Sequence, residues 1–161
     1  MLTPAQRRYV TIETLVGAII NGLFSVLFVF LIFSGQAHVS TAGEQGLLLD
    51  SLPQGFAIGF MGAFFPSFLT RKRIQAGNIQ AAPTDSSSPL PVMPVLRALL
   101  FAVIAAILSV VIFTVLSLLV SSLSFTVAAI IKTLWGVLLG GIVSYIALLC
   151  ALRDYAENQE A

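Results

Sequence analysis

Residues 9–33 read YVTIETLVGAIINGLFSVLFVFLIF, a run in which Glu13 carries the only charge. About 20 apolar residues cross the hydrocarbon core of a bilayer as an α-helix, and in lipid every backbone N–H and C=O group must be paired within the segment. The run therefore predicts a transmembrane helix. It is longer than the apolar region of a secretory signal peptide, which has about 7–15 residues, so we expect this helix to be retained.

Three further apolar runs are long enough to cross a bilayer, and they cover residues 47–69, 95–120 and 125–152. The chain of 161 residues is 58% hydrophobic and 9% charged, whereas soluble domains carry about 25% charged residues. The sequence therefore predicts an all-α polytopic membrane protein. Residues 1–161 are expected to form one domain of four transmembrane helices, arranged as two hairpins.

The basic residues predict the orientation. Seven of them flank the spans on one side: Arg7, Arg8, Arg71, Lys72, Arg73, Arg97 and Arg153. Because Lys and Arg accumulate in cytoplasmic loops, both termini and the middle loop are expected in the cytoplasm, an N-in/C-in topology. The middle segment, residues 74–92, is rich in Pro, Ser and Ala and is expected to be a flexible cytoplasmic linker.

The two hairpins align with each other at shifts of 84 and 81 residues. These shifts superpose Glu13 on Arg97, Ser25 on Ser109, Gly55 on Gly136, Gly59 on Gly140 and Lys72 on Arg153. Both hairpins would begin and end on the same side, so a repeat of this kind is parallel, with its axis along the membrane normal. Two explanations stay open, a duplication and a chance alignment of two apolar hairpins.

Small residues recur every four positions in the second and fourth spans. They include Gly55, Gly59, Ala63, Gly136 and Gly140. Helices in lipid associate through close packing at small residues. These positions are therefore expected to pack helices together within the bundle, or in part to form a contact between two copies of the chain.

Charges inside membrane spans are costly and call for partners. Glu13 lies about 6 Å into the first helix at 1.5 Å per residue, a depth that suggests an ion pair with Arg97 or Arg153. Asp50 and Lys132, near the opposite side, are expected to form a second pair. For Lys132 the alternatives are snorkelling to the headgroups and a role with a substrate or proton.

Polar residues continue the line of Glu13 towards the middle of the first helix. Glu13, Gly17, Asn21 and Ser25 lie on one winding face, and Gln54 of the second span is placed to extend it. One interpretation is hydrogen bonding between helices, with Asn21 as the main donor. The other is a hydrophilic path from the interface towards the centre of the membrane.

Glu13 with Gly17 in a chain of four helices resembles the small multidrug-resistance exporters, in which an early carboxylate couples protons to cationic substrates. This resemblance covers one helix. Residues 10–75 are more similar to small uncharacterised four-helix bacterial inner-membrane proteins, which have an Asn in the first span and a basic cluster after the second. That likeness implies a bacterial origin and the inner membrane.

Enzyme and cofactor motifs are missing from the sequence, and the acidic residues are scattered, so we expect neither an enzyme, a cofactor nor a metal site. A single cysteine, Cys150, excludes a disulfide within one chain, and a net charge of +1 does not suggest a nucleic-acid partner.

The expected partners are the lipid bilayer and either a second copy or a larger membrane complex. The expected function is structural, accessory or regulatory. The alternative is a small dimeric transporter or channel with the path along Glu13, Gly17, Asn21 and Ser25.

Overall fold

A computed structural model describes residues 2–82 and 90–157 of the chain, and the side chains of residues 155–157 are not included in the description. Its elements, in chain order, are α1 Pro4–Phe33, β1 His38–Ser40, α2 Leu47–Gln75, α3 Pro94–Leu119, β2 Ser122–Ser124 and α4 Phe125–Glu157. All four helices are long and apolar enough to cross a membrane.

Helix α1 begins five residues earlier than its apolar run because of a cap that its sequence encodes. The Thr3 hydroxyl accepts from the backbone N–H of Gln6, and the Gln6 side chain accepts from the backbone N–H of Thr3 at 2.8 Å. Pro4 occupies the first helical position, where no N–H donor is needed. The polar first turns of α1 thus extend the helix beyond its apolar stretch.

The helices do not pack as two separate hairpins. Helices α2 and α4 form a central pair, α1 packs along α4, and α3 packs along α2, whereas the sequence neighbours α1 and α2, and α3 and α4, contact each other little. The small residues decide this arrangement. A Cβ on Gly59 would lie 2.5 Å from the Phe101 carbonyl oxygen of α3, and a Cβ on Gly140 would lie 2.5 Å from the Asn21 Cβ of α1.

The contacts follow an approximate two-fold axis. Strand β1 pairs antiparallel with β2, and Val39 lies opposite Leu123 at the centre of the ribbon. The shift of 84 residues superposes Val39 on Leu123. Related backbone bonds flank this ribbon: Thr41 N donates to Ser121 O, and Phe125 N donates to Ala37 O. The alignment of the two halves seen in the sequence therefore corresponds to equivalent positions in the fold. The ribbon itself was not expected from the sequence.

One end of the bundle, here called the terminus end, contains the first turns of α1 and α3 and the last turns of α2 and α4. The other, which carries β1 and β2, is the ribbon end. The apolar core runs between them in three clusters, and the central one contains Ile58, Ala63, Ala98, Phe101, Ala105, Leu139, Val143 and Ala147.

At the terminus end, part of the predicted linker is held against the helices. Gln6 Nε2 donates to the Gln80 carbonyl at 2.9 Å, and the backbone N–H of Ala82 donates to the Leu152 carbonyl at 2.9 Å. This portion of the predicted linker therefore has hydrogen-bond partners on α1 and α4, and its flexibility stays a prediction. The central part of the predicted linker, residues 83–89, lies outside the described residues.

A polar crevice between α1 and α2

The weak contact between α1 and α2 leaves a crevice of about 310 Å³ along their line of approach. Its wall residues are mostly apolar, with Ser144 of α4 contributing at the base: Glu13, Val16, Gly17, Ile20, Asn21, Met61, Gly62, Phe65, Pro66, Leu69 and Ser144. A second crevice of about 180 Å³ shares Asn21 and Met61 with the first and reaches Ser25 and Gln54. We call the two together the α1/α2 groove.

The polar row expected from the sequence lines this groove, but its hydrogen bonds differ from the expectation. The Asn21 amide donates to the Gly17 carbonyl of its own helix at 2.8 Å. The bond between helices is made by Gln54 Nε2, which donates to Ser25 Oγ at 2.8 Å, and Ser25 Oγ in turn donates to the Asn21 carbonyl at 2.9 Å. Gln54 and Ser25 therefore connect α1 to α2, and the Asn21 side chain does not.

Glu13 stands at the terminus end of the groove, and its ionic partner is Arg73. The predicted pairing with Arg97 or Arg153 is corrected, because the first turns of α1 meet the last turns of α2, which carry Arg73, and α1 has little contact with α3, which carries Arg97. The Arg73 guanidinium also lies 5.3 Å from the centre of the Tyr9 ring, and 41% of the Arg73 side chain stays exposed. The Arg73 guanidinium is thus held by Glu13 and Tyr9 on one side, and its other side is exposed.

Two more ion pairs join helices elsewhere. Arg97 of α3, fully buried, pairs with Asp154 of α4. Lys132 of α4, also fully buried, pairs with Asp50 of α2 near the ribbon end, the pairing suggested by the sequence. Arg97–Asp154 occupies the positions equivalent to Glu13–Arg73 under the shifts of 84 and 81 residues, with the two charges exchanged.

Some polar atoms of the groove have no hydrogen-bond partner among the described residues. The Ser144 hydroxyl and the Gln54 carbonyl oxygen are both buried and unpaired. Pro66 has no N–H group to donate to the Gly62 carbonyl one turn earlier, so this carbonyl lacks its usual donor within the helix. The floor of the groove therefore retains hydrogen-bonding capacity under an apolar rim.

The groove between α3 and α4 lies at a different height and has a different lining. It encloses about 470 Å³ near the ribbon end, and its lining is apolar apart from Trp135: Ile112, Phe113, Val115, Leu116, Leu119, Ile131, Leu134, Trp135 and Leu138. Trp135 Nε1 donates to Ser109 Oγ at 2.9 Å, the counterpart of the Gln54–Ser25 bond. Beside Arg97 and Asp154 there is only a cavity of about 10 Å³, room for about one water molecule.

No group of three or more metal-ligating side chains occurs among the described residues. Comparisons of the chain with family models, with curated proteins and with solved structures found no match. The features of the described residues that bear on a function are four apolar helices, the ion pairs between them and two grooves with different linings.

Proposed function

We propose that this chain is a non-catalytic integral membrane protein of structural, accessory or regulatory type in a bacterial inner membrane. The observation that carries the proposal is the set of three ion pairs that join helices among the described residues: Glu13–Arg73, Asp50–Lys132 and Arg97–Asp154. A carrier driven by protons or ions needs an ionisable group that can exchange its partner for a substrate. Here the charges within the bundle neutralise one another and connect α1 to α2, α2 to α4 and α3 to α4.

The proposed orientation places the terminus end in the cytoplasm. Its support is the position of the basic residues, of which only Lys132 lies towards the ribbon end and is neutralised there by Asp50. Cysteines introduced singly at His38 and Gln75 test this orientation in whole cells. A membrane-impermeant maleimide should label the first and not the second, after Cys150 has been replaced by Ala.

A second candidate function is transport by a dimer along the α1/α2 groove. The observation that favours it is the crevice of about 310 Å³, which reaches from the carboxylate of Glu13 to Asn21. In that mechanism Glu13 would release Arg73 when it takes up a cation or a proton.

One experiment separates the two candidates. Proteoliposomes with an imposed pH gradient are followed with an internal pH dye, and Glu13→Gln is compared with wild type and with Glu44→Gln, a change of an exposed loop carboxylate. The accessory function predicts proton flux equal to that of protein-free liposomes. It also predicts that Glu13→Gln lowers the free energy of unfolding by up to about 1 kcal/mol, because its partner is partly exposed.

The opposite outcome identifies a transporter. In that outcome, the wild type and Glu44→Gln show proton flux above the protein-free level, and Glu13→Gln does not. If Glu13→Gln also unfolds at the wild-type temperature, the accessory function is contradicted.

A further inference from the structure

The two halves of the bundle differ strongly at the terminus end. On the α1/α2 side the last turns of α2 and the first turns of α1 carry five basic residues: Arg7, Arg8, Arg71, Lys72 and Arg73. The equivalent positions on the α3/α4 side hold Pro91, Val92, Leu152, Arg153 and Asp154. The α1/α2 groove therefore begins at a strongly basic surface, and the corresponding surface of the second half is nearly neutral.

We propose that the α1/α2 groove is a binding site for an anionic phospholipid, with the headgroup phosphate at the basic surface and one acyl chain lying in the groove. This inference goes beyond the accessory function, since it assigns a ligand to a particular surface. Basic pockets between membrane helices attract anionic headgroups, at about 1 kcal/mol for each Lys or Arg near the surface.

The headgroup end is organised for an anion. Glu13 binds one side of the Arg73 guanidinium and Tyr9 lies against its face, which restrains the side chain. A guanidinium has five N–H donors in a planar arrangement that suits phosphate. Because the Arg73 side chain is 41% exposed, donors not used by Glu13 remain accessible, and the neighbouring Lys72 is exposed as well. Arg71 is also exposed, but it faces the small cavity beside Arg97 and Asp154.

The depth of the polar atoms fits the region of a lipid below its phosphate. Ser144 Oγ would lie 2.5 Å from a Cβ on Gly17, which places this hydroxyl one helical turn deeper than Glu13, or about 6 Å. The hydroxyl is fully buried, lines the crevice and has no partner among the described residues. It is therefore positioned to donate to an ester carbonyl of the lipid.

Beyond this level the groove offers apolar surface that opens sideways. The rim side chains Val16, Ile20, Phe65 and Leu69 are all exposed on the outside of the bundle, so an acyl chain can enter from the bilayer without any helix moving. The second crevice continues the apolar surface towards the ribbon end, where Phe24, Phe28, Ala57, Ile58 and Met61 contribute to its wall.

Tryptophan quenching by brominated acyl chains tests the proposal. The single tryptophan, Trp135, lies in the α3/α4 groove, and a variant carrying Trp135→Phe with Phe65→Trp moves the fluorophore to the α1/α2 groove. Vesicles contain increasing fractions of brominated phosphatidylglycerol or brominated phosphatidylcholine. At the Phe65→Trp probe we expect about a five-fold preference for the anionic lipid. For Trp135 in the unmodified chain we expect no preference.

Two substitutions then assign the headgroup contact. The double change Glu13→Gln with Arg73→Gln removes both charges without leaving either unpaired and should abolish the preference. Glu13→Gln alone frees the guanidinium and should increase the preference, whereas a site for cationic amphiphiles would lose its binding. Equal quenching by both lipids at the Phe65→Trp probe, or loss of the preference in Glu13→Gln, would overturn the proposal.

Native mass spectrometry supplies a second measurement that needs no tryptophan change. The wild-type chain is released from micelles that contain equal amounts of phosphatidylglycerol and phosphatidylcholine. One retained anionic lipid that is lost in the Glu13→Gln, Arg73→Gln double variant supports the site. Retention of both lipids in equal proportion contradicts it.

Discussion

The groove between α1 and α2 and the groove between α3 and α4 lie between helix pairs that the approximate two-fold axis exchanges, but at different heights. The first extends from the terminus end past Asn21 and contains polar atoms, whereas the second lies near the ribbon end and is lined almost entirely by apolar side chains. Their frameworks match: Ser25 and Ser109 each accept a hydrogen bond from the partner helix of the same half. The donors differ, a primary amide on Gln54 and an indole on Trp135. The Gln54–Ser25 and Trp135–Ser109 hydrogen bonds thus join the helices in both halves. The residues around these bonds determine how polar each groove is.

The ion pairs at the terminus end show the same contrast. Glu13–Arg73 is partly exposed beside a large crevice, and Arg97–Asp154 is enclosed beside a cavity of about 10 Å³. The exchange of the two charges keeps the interaction between helices while moving the guanidinium from the surface into the core. A cation that faces the bilayer surface can meet a ligand, whereas a buried one mainly holds helices together.

The largest effect on stability is expected at the Asp50–Lys132 pair, where the two halves of the chain have unlike residues. The position equivalent to Lys132 in the first half is Ser51, so this pair has no counterpart. Asp50→Ala leaves the fully buried Lys132 ammonium without its carboxylate and should cost about 3–5 kcal/mol of stability. Thermal unfolding followed by circular dichroism in detergent measures it.

The matched control for that prediction removes both charges. Asp50→Leu combined with Lys132→Met fills similar volumes with apolar groups and should be close to wild type or more stable. If Asp50→Ala unfolds at the wild-type temperature, Lys132 reaches the headgroups instead and the pair is not a structural element.

A smaller effect is expected from the contrast between the two terminus-end pairs. Arg97→Gln leaves the Asp154 carboxylate without the guanidinium of a fully buried arginine, whereas Glu13→Gln leaves Arg73 in partial contact with solvent. The first change should therefore destabilise the protein by about 2 kcal/mol more than the second. Unfolding midpoints measured side by side check the order. Equal midpoints would mean that burial does not distinguish the pairs.

The sequence predicts four membrane-length helices because length and hydropathy are properties of each segment alone. It also suggests Asp50–Lys132, since both residues lie at similar depth near the same side of the membrane. The partner of Glu13 depends on which helices touch. Depth alone leaves Arg73, Arg97 and Arg153 almost equivalent. The partner is Arg73 because the first turns of α1 meet the last turns of α2, a placement that the sequence does not reveal.

The hydrogen-bond partners were harder to predict for a related reason. An asparagine in a membrane helix can bond a neighbouring helix or its own backbone, and the choice depends on how close that neighbour comes. Asn21 packs tightly against Gly140, and its amide turns back to the Gly17 carbonyl. The shifts of 84 and 81 residues carried a usable signal, because they pair Gln54 with Trp135 as well as Ser25 with Ser109.

The smallest effect is expected from these two equivalent hydrogen bonds. Gln54→Met and Trp135→Phe each remove the donor to a serine, at 2.8 and 2.9 Å. Hydrogen bonds between membrane helices contribute about 0.6 kcal/mol on average, so each change should lower the free energy of unfolding by about that amount. Because the two bonds lie in different grooves and share no partner, the double variant should equal the two effects added, within about 0.5 kcal/mol. Unfolding of the four variants in one detergent gives the comparison. A coupling well above that limit would mean that the two grooves are energetically linked through the helices between them.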